Sequence, residues 1–331
     1  MRESVSVGVN KGKQEKALIS VVCLSYERRD YVLDLLQALQ RQTYPNIEVI
    51  LVENNSQDGT ADAVESLFPQ VQIIRCPQNF GMVAYNFGLV NAKGKYIFVI
   101  DDDGLPGSDS WLKEGVDHFE ANPQLGALAC TIRMVDTGQI GYDSPQFAPD
   151  EVKMGGYSAA AYNGTGAGLR AEAIHKSGYY PFHFFRSWLE LSLCTRLIDA
   201  GWEVRCFPEL EVWHRRPTGS INRPVTYYGL RNYFWYIWTF YPRTDAIKET
   251  IRYLAYCLKQ IPKRQMPVNL LARSWSDACI GWWRNTDSRQ PVSRRTVEYL
   301  RRVRKYRNEH GLIPVQRQFL VDKEQKSHHA A

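Results

Sequence analysis

The chain has 331 residues, of which 44% are hydrophobic and 23% charged, a balance that excludes wholesale disorder and any collagen-like or coiled-coil fibre. The formal charge is +6, but residues 217–331 carry 21 Lys+Arg against 8 Asp+Glu, whereas the preceding 216 residues carry 20 against 27. Electrically the chain is two pieces, and its length suits one large or two modest domains.

Residues 1–17 read as a loose polar lead without the apolar stretch and cleavage site of a secretory signal. No apolar run approaches the roughly 18 residues that a spanning helix requires. Seven cysteines, odd in number and without a Cys-x-x-Cys pair, point to a reduced, cytosolic setting in which most are small buried hydrophobes.

From Leu18 the run LISVVCLSY is β-branched and nearly continuous in apolarity, as a strand buried on both faces must be. A helix follows, with Asp30 the expected N-cap and Val32, Leu35, Leu36 and Leu39 at helical spacing. Residues 47–52 form the next apolar run and end in the polar turn ENNSQDGT. Helix 61–68, strand 71–75, helix 83–91 and strand 96–100 complete an alternation that predicts a mostly parallel, twisted α/β sheet covered on both sides. Ligands of such sheets bind beyond the carboxyl ends of the strands. The polar clusters 25–28, 53–60 and 101–103 all fall on that edge.

Asp101, Asp102 and Asp103 directly follow the strand IFVI. Alternation places the first and third on one face, where paired hard carboxylates suit Mg2+ or Mn2+ completed by phosphate oxygens and water. A solvated acidic turn is the plain alternative, and position at a buried strand's end favours the metal.

The segments SVVCLSYERRDYVLDLLQALQRQTYPNIEVILVENNSQDGT and NFGMVAYNFGLVNAKGKYIFVIDDD resemble the successive motifs of the family-2 inverting nucleotide-sugar glycosyltransferases, which have the GT-A fold. The resemblance runs from about residue 18 to 232 and includes a Tyr-Tyr then Arg-Asn element like that of rhamnosyltransferase-like members. It implies a donor site for a UDP- or dTDP-sugar formed by Ser25, Tyr26, Glu27, Glu53, Asn55, Asn79, Gly81, Asp101 and Asp102. Glu53 stands where the family usually has Asp. The implied metal ligands are Asp101, Asp103 and His214, with Arg215 and Arg216 available to the diphosphate. The stretch RSWLELSLCTRLIDAGWEVRC resembles the family's acidic catalytic helix and makes Glu190 the general base, with Leu189 and Ser192 at positions the family fills with acids. Fewer neighbouring acids predict a less elevated pKa for Glu190; an ion pair with Arg186 or Arg196 is the structural alternative. Asn79 and Asn86 read equally well as an Asx turn and a packing amide. The glycines of YNGTGAGLR read as a loop close to the sugar. Trp188 and His183 are the expected acceptor contacts, the acceptor being a saccharide or a lipid-linked saccharide.

The implied division is a lead of 1–17, a catalytic domain of 18–216 and a helical, basic and aromatic extension of 217–331. The aromatic run 232–242 fits a membrane surface, a packed core helix or a dimer interface. Residues 294–307 form a basic helix with Val297, Leu300 and Val303 on one side, suited to anionic lipid or glycan. The chain is thus expected in the cytoplasm, either free or peripheral on the cytoplasmic face of a membrane. A sugar-phosphate nucleotidyltransferase and a non-enzymatic polyanion or membrane binder are the rival functions, and nucleic-acid binding leaves the aspartates and Glu190 unexplained.

Overall fold

In this computed structural model, residues 16–141, 147–148, 155–215, 227–262, 267–284 and 289–310 are described. Arg216 and most of the lead lie outside them. The first half follows the predicted alternation: β1 (Ile19–Ser25), α1 (Arg29–Gln40), β2 (Ile47–Glu53), α2 (Thr60–Leu67), β3 (Gln72–Arg75), α3 (Tyr85–Asn91) and β4 (Tyr96–Asp101). One expectation fails at α1. Arg28 occupies the N-cap position, no side chain caps the helix, and Asp30 sits inside the first turn, where its charge still meets the positive end of the helix dipole.

Then come β5 (Gly104–Pro106), α4 (Trp111–Ala121), β6 (Leu125–Met134), β7 (Phe147–Ala148), β8 (Tyr157–Ala159), β9 (Ala167–Arg170), α5 (Ala171–Ser177), α6 (Leu189–Asp199) and β10 (Glu203–His214). The ten-stranded sheet runs β3-β2-β1-β4-β9-β6-β10-β8-β7, with β5 paired to β10. Strands β3, β2, β1 and β4 are mutually parallel. Beyond them β9 lies antiparallel to both β4 and β6, so the sheet is mixed. The glycine-rich stretch is therefore part loop and part strand. Gly168 belongs to β9, and a Cβ there would meet Leu128 and Phe119 at 2.9 Å.

Strand alternation sorts the core into two layers. Val21, Cys23, Phe98 and Ile100 pack with α1, α2 and α4 on one face. Val22, Ile97 and Val99 pack with α3, α5 and α6 on the other. Six of the seven cysteines are buried, Cys279 being the exposed one.

The C-terminal helices are α7 (Tyr227–Phe240), α8 (Arg243–Gln260), α9 (Val268–Arg284) and α10 (Arg294–His310). Of the three readings of the aromatic run, the packed core helix is the one observed: Tyr233, Trp235, Tyr236, Ile237 and Phe240 are buried in the same layer as α6. Thr195 and Tyr236 share a hydrogen bond of 2.8 Å, and Asp199 at the end of α6 accepts from Ser293 N and Thr296 Oγ1 at the start of α10. Glu249 of α8 is buried and accepts from Tyr233, Arg252 and Arg304. Val297, Leu300 and Val303 form the buried face of α10, while Arg301 reaches Asp245 at 2.9 Å. Helices α7 and α10 therefore pack on the layer that contains α6.

Candidate active site

Register brings the acids together. Leu24 of β1 pairs with Asp101 and Ser25 with Glu53, so three strand ends open on one cleft of about 620 Å3. His214 is opposite Gly104 in the β10–β5 pair, which sets its ring beside Asp103. Gly104 is needed for that turn, since a Cβ there would come within 2.6 Å of the Thr165 carbonyl oxygen.

β4 ends at Asp101, and the chain then turns, so strand alternation does not govern the next two residues. The carboxylate of Asp101 accepts from Tyr85 OH at 2.8 Å and Thr165 Oγ1 at 3.5 Å. Asp102 and Asp103 point elsewhere: one guanidinium nitrogen of Arg28 donates to both, at 2.8 and 2.5 Å. Asp103 Oδ1 is 3.3 Å from His214 Nε2.

A divalent cation fits part of the expected ligand set. A carboxylate and an imidazole converge at Asp103 and His214, a donor pair that suits manganese or magnesium with phosphate oxygens in the remaining positions. Asp101 does not join them. Among the described residues, no group of three or more His, Cys, Asp or Glu gathers closely enough to hold a metal.

Burial, and next the charge of Asp103, push the Asp101 carboxyl up to about 7. Burial also raises Asp102, against the opposing pull of Arg28. For Asp103 burial acts upward but loses to the His214 ring and to Arg28, which hold it below the ordinary range.

Glu190 lies in the first turn of α6 and faces the cleft. A Cβ on Gly164 would sit 3.2 Å from Glu190 Oε1 and 3.6 Å from Asp101 Oδ1, so a glycine there keeps the space beside the two carboxylates open. Burial raises the Glu190 pKa, and its hydrogen bonds with backbone N–H groups, its own and that of Gly164, oppose the rise. The rise comes from burial and not from neighbouring acids. Among the described residues no ion pair joins Glu190 to Arg186 or Arg196; Arg196 donates to the Tyr179 carbonyl.

The loop before α6 holds three non-glycine residues at positive φ: Phe185 (62°), Ser187 (67°) and Trp188 (68°). Such backbone is costly and persists only where surroundings hold it. Asn232 of α7 supplies the hold, its buried amide donating to the carbonyls of Phe184 (2.7 Å), Arg186 (2.6 Å) and Ser187 (3.4 Å). Trp188 Nε1 donates to Gly229 O at 2.9 Å, and its ring packs 4.5 Å from Tyr233. His183 packs against Trp235, where burial and the Arg231 charge lower its pKa to about 4. Trp188 and His183 are thus occupied by α7, and neither lines the cleft.

Of the expected donor residues, Tyr26, Asn79, Gly81, Asp101 and Asp102 line the cleft. Ser25 is fully buried behind it. Glu53 accepts from Ser56 N at 2.6 Å, and Glu27 from Gln57 N at 2.9 Å; both brace the polar turn. Asn55 is exposed at φ 68°. The amide facing the cleft is Asn54, which donates to Asn79 Oδ1 and Gly81 O and accepts from Phe80 N. Asn79 also closes an Asx turn on Gly81 N at 2.7 Å. Asn86 is a packing amide that exchanges two hydrogen bonds with Tyr180. Arg215 bonds Asp34, Tyr31 O and Asp102 O. Sequence reasoning passed over Arg28, Asn54, Asn163, Thr165 and Ser187 as site residues, although all line the cleft. For Arg28 and Asn54 a signal existed: both lie within three residues of a strand's carboxyl end.

The mixed α/β sheet thus carries a strand-edge cleft with paired acids, an adjoining histidine and a buried glutamate. Residues 20–178 match the model of glycosyl transferase family 2. Glycosyltransferase AglE of Haloferax volcanii is 31% identical over 213 residues, covering 61% of this chain and 69% of that protein. The chain belongs to glycosyl transferase family 2. An Escherichia coli relative named UDP-Glc:alpha-D-GlcNAc-diphosphoundecaprenol beta-1,3-glucosyltransferase WfaP is 32% identical over 98 residues, 29% of this chain and 37% of its own. Three other curated relatives are matched over only 40%, 43% and 31% of their length. The mannosyltransferase PcManGT of Pyrobaculum calidifontis, solved with GDP-Man and Mn2+, superposes with a TM-score of 0.55 at 16% identity, covering 92% of this chain and 84% of that one. That likeness establishes the GT-A fold, with the C-terminal helices included in the superposition's reach.

Proposed function

We propose that the protein is an inverting glycosyltransferase that moves a sugar from a nucleoside-diphosphate donor to a hydroxyl of a saccharide or lipid-linked acceptor at the cytoplasmic face of a membrane. The observation that carries this is Glu190: a buried carboxyl with raised pKa, facing the same cleft as Asp101 and the Asp103–His214 pair. The relative named for a diphosphoundecaprenol acceptor supports the lipid-linked class. Rhamnose from a dTDP carrier rests on the Tyr-Tyr and Arg-Asn element; the UDP donor in that relative's name supports a uridine carrier instead.

Tyr26 and the Asn54–Asn79 pair border the nucleoside end, and Asp101 and Thr165 face the sugar. Arg28, already between two carboxylates, is placed to turn towards a diphosphate. A divalent cation, Mn2+ or Mg2+, held by Asp103 and His214 would offset diphosphate charge. Glu190 accepts the proton of the acceptor hydroxyl as its oxygen attacks the anomeric carbon from the side opposite the departing diphosphate, which inverts that centre. The walls at Met82, Phe185 and Ser187 limit water around the sugar.

The test is thermal: UDP, dTDP and GDP are each added with Mn2+, with Mg2+ and with chelator. Stabilisation by a nucleotide only with metal, abolished in Asp103→Ala, is the expected result. An unchanged melting temperature in every combination overturns the proposal.

A further inference from the structure

We propose that α8 is an interfacial helix whose outward side lies on an anionic lipid bilayer. Ile247, Ile251, Leu254 and Leu258 are 50%, 64%, 37% and 52% exposed. Their spacing of four, three and four residues puts them within about 60° of one another around the helix. Four large aliphatic side chains aligned on one outward face are uncommon on a protein that has nothing to cover them.

Charge names the occupant. Lys248, Arg252 and Lys259 recur at spacings of four and seven, so they form a second exposed stripe roughly 110° round from the first. The two acids of α8 lie on the side away from the apolar stripe and are held in ion pairs: Asp245, in a pocket it shares with Lys248, pairs with Arg301 at 2.9 Å, and buried Glu249 pairs with Arg304 at 3.0 Å. Arg252 also touches Glu249 yet keeps 60% of its side chain exposed. An apolar stripe bordered by cations, with its acids held in ion pairs, complements acyl chains and anionic headgroups together. A second copy of the same basic surface would meet like charge.

The structure moves this role away from the segments that composition suggests. The aromatic run of α7 is buried, and Arg301 and Arg304 of α10 are spent on internal pairs. No described helix is long and apolar enough to cross a membrane, and none needs to. The inference deepens the reading of a membrane-borne acceptor, but binding to vesicles requires neither donor nor acceptor, so the two can fail separately.

Full-length protein is floated with vesicles of phosphatidylcholine alone or with about one-third phosphatidylglycerol. Three cations near the surface predict binding on the order of 100-fold tighter to the anionic vesicles at low salt, weakening as salt rises. Ile251→Glu with Leu258→Glu, at exposed positions, should cost at least tenfold in binding with the melting temperature unchanged. Lys248→Glu with Lys259→Glu should remove the preference for anionic lipid and provides the second arm should the first variant misfold. Equal binding to both vesicle types, or none to either, overturns the proposal. So does a dimer in sedimentation velocity that Ile251→Glu with Leu258→Glu dissolves while flotation is absent.

Discussion

The acid-rich cleft and the basic C-terminal helices solve the same electrostatic problem in opposite ways. In the cleft, carboxylates are gathered at strand ends, and the charge left on Asp101 and Glu190 is suppressed by burial. In the helices, the buried acid Glu249 is surrounded by donors, and its pKa is lowered despite burial. Burial without a cationic partner favours the protonated carboxyl, whereas arginine partners favour the ionised one. The difference separates two kinds of buried carboxylate, one with its pKa raised and one with it lowered.

The severest test of that comparison is to remove one partner. A chain ending at residue 216 would uncover the layer filled by Tyr233, Trp235, Tyr236, Ile237 and Phe240, worth on the order of 10 kcal/mol at a few kcal/mol each, which rivals the stability of a whole domain. Cooperative melting in far-UV circular dichroism should vanish; a fragment melting within a few degrees of the full chain would show that the two regions are independent. Next, Glu190→Gln should lower kcat by about 10²- to 10⁴-fold while donor-induced thermal stabilisation persists, and full turnover would remove Glu190 from the mechanism.

The pH profile sharpens the same contrast. Glu190 must be deprotonated to act, and its raised pKa means that the rate falls, as pH drops, from a point above the ordinary glutamate value of about 4.3. By linkage the folded state holds that proton more tightly, so this group's contribution to stability is full at low pH and declines as pH rises through the raised value. An acid limb at ordinary glutamate pH would contradict the burial argument. Asn232→Ala leaves several carbonyls of the positive-φ loop without their donor. A loss of about 2 kcal/mol is expected, read as a few degrees in melting, together with a fall in kcat that Asn232→Gln does not restore. Smallest is Arg301→Ala: its partly exposed pair with Asp245 should be worth under about 1 kcal/mol.

What the sequence revealed was local. The strands ending at Ser25, Glu53 and Asp101 were legible because β-branched runs alternate with helical spacing, and the acids at their ends were legible because a parallel sheet has only one such edge. β9 was not, since its place between β4 and β6 is set by antiparallel pairing across 30 or more residues. Asn54 was passed over for Asn55 because adjacent amides look alike until backbone direction is known. Trp188 and His183 misled for a related reason: aromatic residues beside a catalytic helix suggest a sugar surface, but α7 claims both. The charge division at 217 marks composition and not packing, because Tyr236 bonds Thr195 and the start of α10 bonds Asp199.

Gly81 carries a consequence of its own. Its φ is 66°, and a Cβ would lie 2.4 Å from the Phe185 carbonyl oxygen, which already accepts from Met82 N at 2.7 Å. Backbone therefore touches backbone between the segment after β3 and the loop before α6, stitching the wall that holds Asn79 to the wall that leads into Glu190. The width of the gap is fixed at this seam. A side chain at 81 would part the two walls, so Gly81→Ala should widen the cleft or lower the melting temperature.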